Sequence, residues 1–436
     1  MEVILTEKKS VASDIAAVLG IKARSQFSIE TLDGRTLVWA RGHLLELVEP
    51  DDYSEAWAAR WNWDQLPMIP EKWKYRVVRG CGDQMKAIAA VLKRATSVVI
   101  ATDAAREGEL IGRLILEHCK YRGPVKRFWA SVLTPKGIKE ALDTLRPGKS
   151  TENLLEAAKA RSYADWLYGL TGSRAVALAT RIRGGNSLGR VQTPTLALLV
   201  HRQEQIDNFR QSTYYELEAT VRTARGAEFK MLHAPSAEHR ITNKADAEKL
   251  MKQAQGHQGP LRVVKEPGSQ RPPLPFSLPT LQKEANRLLG LSAADTLKIA
   301  QTLYEAKFTT YPRTDCEYLG DKQKEEVPAI LDAISENSPL RVLHLKDAGV
   351  LMRPSVFDNS KLSDHHGLIP TYLPARGLTG DTAKVYDLVC LRFLQSLAPD
   401  QRFDQTAVMM DANGVEFRAK DRVVTDEGWR ALARIA

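Results

Sequence analysis

Apolar positions along this chain follow two periods, and the switch between them marks out the elements. Val3–Leu5 is a short continuous apolar run, and Ser10–Leu19 behind it spaces its apolar residues as a helix does. The pairing recurs at Ser97-Val98-Val99-Ile100-Ala101, a β-branched run of the kind buried in a parallel sheet. Arg106–Cys119 follows it, with Leu110, Ile111, Leu114 and Ile115 forming a helical stripe. Two strand-to-helix units therefore end in Glu7-Lys8 and in Asp103. In open α/β sheets, sites gather beyond the carboxyl ends of strands.

Residues 151–212 read as mainly helical. Tyr215–Val221 alternates as a half-buried strand does. Gln270–Pro275 is a proline-rich linker, and a second helical region begins near Leu278. Val408–Met410, Asn413-Gly414 and Val415–Arg418 form a hairpin pattern with a type I′ turn. If that hairpin pairs with strands near 215–231, residues 280–372 are an insertion within a β unit. The expected division is 1–150 (α/β), 151–212 (helical), 213–279 (β-rich), 280–372 (helical) and 373–436 (return of the β unit).

Composition changes this picture only in places. A chain of 436 residues exceeds one ordinary core. No apolar run reaches the roughly 18 residues of a membrane helix, and the start carries acids inside its apolar stretch, unlike a secretory leader. A cytoplasmic protein with no membrane partner is expected. Cys81, Cys119, Cys316 and Cys390 are scattered, which signals neither a zinc site nor a disulfide framework. The net charge of +9 makes polyanions plausible partners. Between Arg161 and Arg190, five arginines (161, 174, 181, 183, 190) face one acid, Asp165, as a phosphate-tracking surface would. Gly148-Lys149-Ser150 looks like the end of a nucleotide loop, but Asp143 stands where its first glycine belongs, so ATP binding is rejected.

The chemistry concentrates in Phe308-Thr309-Thr310-Tyr311-Pro312-Arg313-Thr314-Asp315. A phenol two residues from a guanidinium, in a proline-stiffened turn, can address one phosphate. A tyrosine hydroxyl is a weak nucleophile at neutral pH and needs charged neighbours to act. This string resembles the active-site motif of type IA DNA topoisomerases, and four more match that family in order. They are Thr6-Glu7-Lys8, Gly42-His43-Leu44, Ser187–Pro194, and Asp364–Thr371 with Gly367 and Leu368 in place of the usual Ala and Ile. Arg60–Trp63, Pro70–Trp73 and Ala164–Gly169 lean towards the topoisomerase III kind.

The resemblance implies a multidomain fold: an α/β Toprim (Rossmann-like) domain, helical domains and a β-rich arch. It implies that Tyr311 attacks DNA and keeps the 5′ phosphate. Arg313 would clamp the scissile phosphate, Lys8 would serve the departing 3′ oxygen, and Glu7 would orient the 3′-OH. His365 would support the phosphate, and as a histidine it could change charge near neutral pH. His43 is read evenly as a phosphate helper or a turn anchor. DNA contacts would fall on Trp61, Trp166, Arg174, Arg183, Ser187, Leu188, Gly189, Arg190, Val191 and Gln192. For the two tryptophans, base stacking and ordinary core packing are equal readings. Mg²⁺ would sit on Glu7, Asp103 and Glu107, with no ATP and no zinc. The partner would be single-stranded DNA, bound by a monomer at the bacterial nucleoid or a plasmid. No motif names a helicase or single-strand-binding protein as partner.

Two departures qualify this. The family's Asp-x-Asp-x-Glu reads Asp103-Ala104-Ala105-Arg106-Glu107 here. A carboxylate missing at about 4 Å forfeits on the order of 4 kcal/mol of raw attraction for a cation, so weakened Mg²⁺ binding and slower rejoining are expected. The family also continues beyond Gly428-Trp429-Arg430 to close a ring around DNA, whereas this sequence reaches Ala436. Rival readings are a non-enzymatic single-strand-binding module and another Toprim enzyme, a primase or nuclease.

Overall fold

The computed structural model describes residues 1–58, 60–130, 133–182, 187–362 and 365–435. In chain order the strands are β1 (Glu2–Thr6), β2 (Ile21–Arg24), β3 (Ser28–Thr31), β4 (Thr36–Trp39), β5 (Leu45–Leu47), β6 (Tyr75–Val77), β7 (Ser97–Ala101), β8 (Val125–Arg127) and β9 (Arg146–Pro147). Then follow β10 (Leu217–Arg222), β11 (Glu228–His233), β12 (Arg262–Gln270), β13 (Gln401–Ala412) and β14 (Val415–Asp426). Seven of them form one sheet in the order β2-β3-β4-β1-β7-β8-β9. β1 is parallel to both β4 and β7, so it lies where the strand order reverses. Thr6 pairs with Ala101, which brings the chain after β1 and the chain after β7 side by side. The expected acids are thereby juxtaposed at a topological switch point.

Both faces of this sheet are covered, which explains its continuous apolar strands. Val3, Leu5, Val98 and Ile100 pack against Met85, Ile88, Leu110 and Leu114. Ile4, Leu37 and Val99 pack on the other side with Ala12 and Ile15 of the helix Lys9–Leu19, and with Tyr304 and Tyr311. Two tyrosines from the far half of the chain thus complete a core of the first. The expected helices at 10–19 and 106–119 are found as Lys9–Leu19 and Arg106–His118.

The second sheet runs β10-β11-β14-β13-β12, with β13 and β14 joined through Asn413 and Gly414. Both turn residues have positive φ, 57° and 88°, as a type I′ turn requires. The hairpin does join the early strands, for Leu232 of β11 pairs with Arg418 of β14. Its strands extend beyond the expected hairpin, to 12 residues each. Strand β12 carries Pro267 and Gly268 inside an exposed pattern, which hid it in the sequence.

Between β12 and β13 lies a helical unit whose core includes Leu281, Leu303, Ile330, Ile334, Phe357 and Phe393. The helix Gly380–Ser396 belongs to it, burying Val385, Val389, Phe393 and Leu394. The unit therefore extends past the expected boundary at 372, because these apolar residues recur at helical spacing. Among the described residues no helix is long and apolar enough to cross a membrane.

Candidate active site

At the end of β1, the Thr6 hydroxyl donates to the Lys8 carbonyl at 3.0 Å and fixes the turn. Gly42, at φ +76°, brings its N–H to the Glu7 carbonyl at 3.4 Å, setting the Gly-His-Leu turn beside the acid. The end of β7 is held by Arg127, which is fully buried. Its guanidinium donates to the carbonyls of Ile100, Thr102 and Phe128 at 2.8–2.9 Å, to that of Asp103 at 2.5 Å, and to Glu109 at 2.8 Å. The Thr102 hydroxyl donates to the Gly108 carbonyl at 2.6 Å. A Cβ on Gly108 would lie 2.1 Å from the Asp103 carbonyl oxygen, so only glycine fits there.

Held this way, the Asp103 N–H donates to a Glu7 carboxylate oxygen at 3.3 Å. Burial raises the Glu7 pKa first and the charge of Asp103 second, while that N–H, Lys8 and Arg313 act against the rise. Lys8 is bound to Glu305 at 3.3 Å, and Glu305 also accepts from Gln301 at 2.9 Å.

Tyr311 arrives on a loop zipped to the histidine segment. The Thr310 N–H donates to the Ile369 carbonyl at 3.0 Å, and the Ile369 N–H returns a bond to the Thr310 hydroxyl at 3.1 Å. Thr371 closes the far end, its N–H on the Phe308 carbonyl and its hydroxyl on the Lys307 carbonyl. The Tyr311 ring is 6% exposed, edge-on to Tyr304 at 5.3 Å and 4.6 Å from the His365 ring. Its hydroxyl donates to Asp103 at 3.2 Å. The phenol's pKa is raised, by burial first and by the negative Asp103 second, with Arg313 opposing. Arg313 itself is exposed beside them. Lys307 fastens the same loop to Asp14 at 2.6 Å.

The Tyr311 cavity, bounded by Ala101–Ala104, Phe128, Tyr304 and His365, measures about 20 Å³. That is room for about one water and none for a phosphodiester. His365 does not titrate near neutrality as expected: burial and its neighbour His366 depress its pKa to about 4. It is a neutral ring at pH 7. His366 is buried too, with Nδ1 on the Gly367 carbonyl at 2.7 Å.

The metal expectation meets a divided set. Glu7 and Asp103 are together, but Glu107 turns to His43 at 3.6 Å and Arg161 at 3.7 Å. Among the described residues no three His, Cys, Asp or Glu side chains gather as an ion-holding group. The arrangement therefore does not fit a three-carboxylate site. His43 likewise faces Glu107 and not Tyr311.

The expected DNA contacts sort into exposed and buried. Trp61 is 47% exposed, with the Arg174 guanidinium 4.9 Å from its ring centre. Arg174 is buried and donates to the Trp57 carbonyl at 2.9 Å, so it supports Trp61 from beneath and does not face solvent. Trp166 is a core residue, correcting its stacking role. Its indole N–H donates to the Val48 carbonyl at 3.0 Å, and it packs on Tyr53 and Trp73. Ser187 to Gln192 form an exposed loop stiffened by Gln192, which donates to both the Ser187 carbonyl and hydroxyl at 3.0 Å. Arg190 grips Asp165 at 2.6 and 3.3 Å, and Arg161 comes within 3.9 Å of the same acid. The arginine surface is thus less bare than its sequence implied. Leu188 anchors its N–H on Ser173, Val191 is exposed, and Gly189 makes way for the Gln192 side chain. Arg183 and Asp364 lie outside the described residues.

Sequence reasoning missed Arg127, Tyr304 and Glu305. Arg127 follows Lys126 and reads as surface charge, and Tyr304 and Glu305 lie in an ordinary amphipathic helix, so no local signal was present.

A Toprim unit whose strand-end acids meet a tyrosine from a distant helical unit defines the class. The Toprim domain profile matches residues 2–133, and that of the DNA topoisomerase family matches 149–435. The chain belongs to the DNA topoisomerase family, in its Toprim-bearing type IA branch. It is 37% identical to DNA topoisomerase 3 of Bacillus subtilis (strain 168), covering 100% of this chain and 60% of that protein. It is 39% identical to DNA topoisomerase 3 of Shouchella clausii (strain KSM-K16), covering 98% and 59%. The chain thus spans about three fifths of the length of these relatives. Full-length topoisomerase I from Thermotoga maritima shares the fold, with a TM-score of 0.69 at 21% identity, over 100% of this chain and 68% of that one.

Proposed function

We propose that this chain cleaves one strand of single-stranded DNA without ATP and stores the bond as a 5′-phosphotyrosine on Tyr311. The carrying observation is the hydrogen bond from the Tyr311 hydroxyl to Asp103, across the two units, with Glu7 and Lys8 at the neighbouring strand end. The phenol oxygen attacks phosphorus, and its proton passes to Asp103, which already accepts it. The bond from phosphorus to the 3′ oxygen breaks, and Lys8 supplies that oxygen's proton. Arg313 neutralises phosphate charge, which also counters the raised phenol pKa. Rejoining reverses each step. Relaxation of negative supercoils and decatenation are the proposed uses, with the bacterial cytoplasm as the setting.

Because the cavity holds no phosphodiester, the helical unit must move off the Toprim unit to admit DNA. Single-stranded DNA mixed with the protein and quenched in denaturant tests the scheme. A 3′-end label should travel with the protein, while a 5′-end label should appear on a free fragment ending in 3′-OH. Binding without any adduct would favour a binding module, and unattached nicks a nuclease.

Lys8 must leave Glu305 to reach the departing oxygen. Glu305→Gln keeps the partner of Gln301 and removes the competing charge. Affinity for single-stranded DNA at low salt is expected to rise up to about fivefold, matching the ~1 kcal/mol ceiling of an exposed ion pair. An unchanged affinity would mean that Lys8 is not restrained by Glu305.

Toprim domains are generally metal-binding, and Mg²⁺ would shield the mutual repulsion of Glu7 and Asp103. We infer that binding to this pair alone is weak. Ala105 is the N-cap of the helix Arg106–His118 and offers it no side-chain bond. Ala105→Asp is expected to tighten Mg²⁺ about tenfold by calorimetry, well within the raw attraction of one added charge. As a cap it should also add about 1 kcal/mol of stability in metal-free buffer. Sub-millimolar Mg²⁺ binding by the unaltered chain would refute the weakness.

A further inference from the structure

A second cavity, of about 600 Å³, lies where the β10–β14 sheet meets the helical unit. Ser269, Arg271 and Arg402 line it from the sheet side, and Arg353, Ser355 and Asp400 from adjoining loops. Ser269 and Arg402 are cross-strand partners in β12 and β13. Arg353 sits in the loop after the helix Pro339–Ala348. No residue is shared with the cavity around Tyr311.

Three guanidinium groups and one carboxylate meet here, a local excess of two positive charges. Asp400 is engaged by Arg353, whose Nη2 lies 2.8 Å from it. Among the described residues, neither Arg271 nor Arg402 comes within ion-pair range of an acid. The Arg353 side chain is only 21% exposed, and its buried Nη1 has no acceptor among the described residues. Like charges around one concavity repel, and an unfilled buried donor is unfavourable. An oxyanion relieves both. Arginine forks match phosphate oxygens, and serine hydroxyls are common phosphate and sugar contacts. Among the described residues no aromatic ring lines the cavity, so it offers bases no stacking face.

We propose that this cavity is a second nucleic-acid contact, which holds phosphodiester groups of a single strand without reading its bases. It extends the strand-cleavage reading but does not depend on the chemistry at Tyr311. A strand seated there touches the sheet and the helical unit at once.

The double variant R271Q/R402Q tests this, since among the described residues neither side chain has a hydrogen-bond or ion-pair partner to lose. Oligothymidylate binding is measured by anisotropy across a salt series, and adduct yield at saturating DNA. Affinity is expected to fall about tenfold, and the slope of log K against log salt to shrink by about 1.4, two contacts at ~0.7 each. Adduct yield at saturation should stay unchanged. An unaltered slope overturns the proposal. Inorganic phosphate, titrated into both proteins, distinguishes a free-anion site. Phosphate binding lost in the variant while the slope stays the same would reject nucleic acid as the ligand. A reduced slope with no adduct from either protein would keep this contact and remove the cleavage reading.

Discussion

Tyr311→Phe is expected to give a folded protein that forms no covalent adduct with DNA under any trapping condition. The phenyl ring keeps the packing on Tyr304 and His365 and the buried position against the Toprim core. What disappears is one oxygen, the group proposed to attack phosphorus, and its bond to Asp103. Losing a hydrogen bond to a charged acceptor costs about 1.5–3 kcal/mol at most. Here the cost is reduced, because the freed carboxylate keeps its attraction to the Arg127 guanidinium. Thermal unfolding should therefore shift by a few degrees, while adduct formation falls to background. DNA affinity should hold, since Arg313 and Lys8 are untouched. A residual adduct of unchanged yield would place the nucleophile elsewhere and end the proposal.

How much of this was legible beforehand depends on the distance over which each feature is encoded. Strands β1 and β7 and the helices after them were readable because period and residue type are local properties. The Asn413-Gly414 turn was readable for the same reason, since a positive φ at both positions restricts the residues allowed. The site residues Glu7, Lys8, Tyr311 and Arg313 came from matched strings, and the structure brings both Glu7 and Tyr311 into hydrogen-bond contact with Asp103. Trp166 was undecided because a tryptophan is equally fit for a core or a stacking face. Only the surrounding Tyr53, Trp57 and Trp73 decide it, and they lie over 90 residues away. His365 was misread in charge for a related reason. Its titration depends on burial under Tyr311 and beside His366, and burial is a property of the assembled fold. Glu107 was expected to face the other acids because the family motif places it there. In this chain Arg161 and His43 draw it away.

Arg127 is the residue most at odds with its sequence appearance, a charged side chain held entirely inside the fold. Arg127→Met should destabilise the Toprim unit by about 3–5 kcal/mol, the range for breaking a buried ion pair by removing one partner. Both Arg127 and Glu109 are fully buried. Glu109 would keep Arg113 at 2.8 Å and the Thr151 hydroxyl at 2.9 Å on one oxygen, but the other would lose the one cation it has among the described residues. Four backbone carbonyls would also lose the guanidinium, and although those of Ile100 and Asp103 keep the N–H of Phe128 and of Ala105, three of the four run through the end of β7. The methionine fills the space of the stem and returns none of these bonds. Arg127→Lys should recover little, because one ammonium cannot match a planar fork that reaches five acceptors. Adding Glu109→Gln to Arg127→Met should restore part of the loss, since the stranded charge is then gone. Urea unfolding followed by circular dichroism measures all three proteins. Asp103 hangs from this same clamp, so adduct yield in Arg127→Met should fall even at temperatures where the protein stays folded. A loss below about 1 kcal/mol would mean that the strand end is held by its sheet neighbours alone, and the position of Asp103 would then need another explanation.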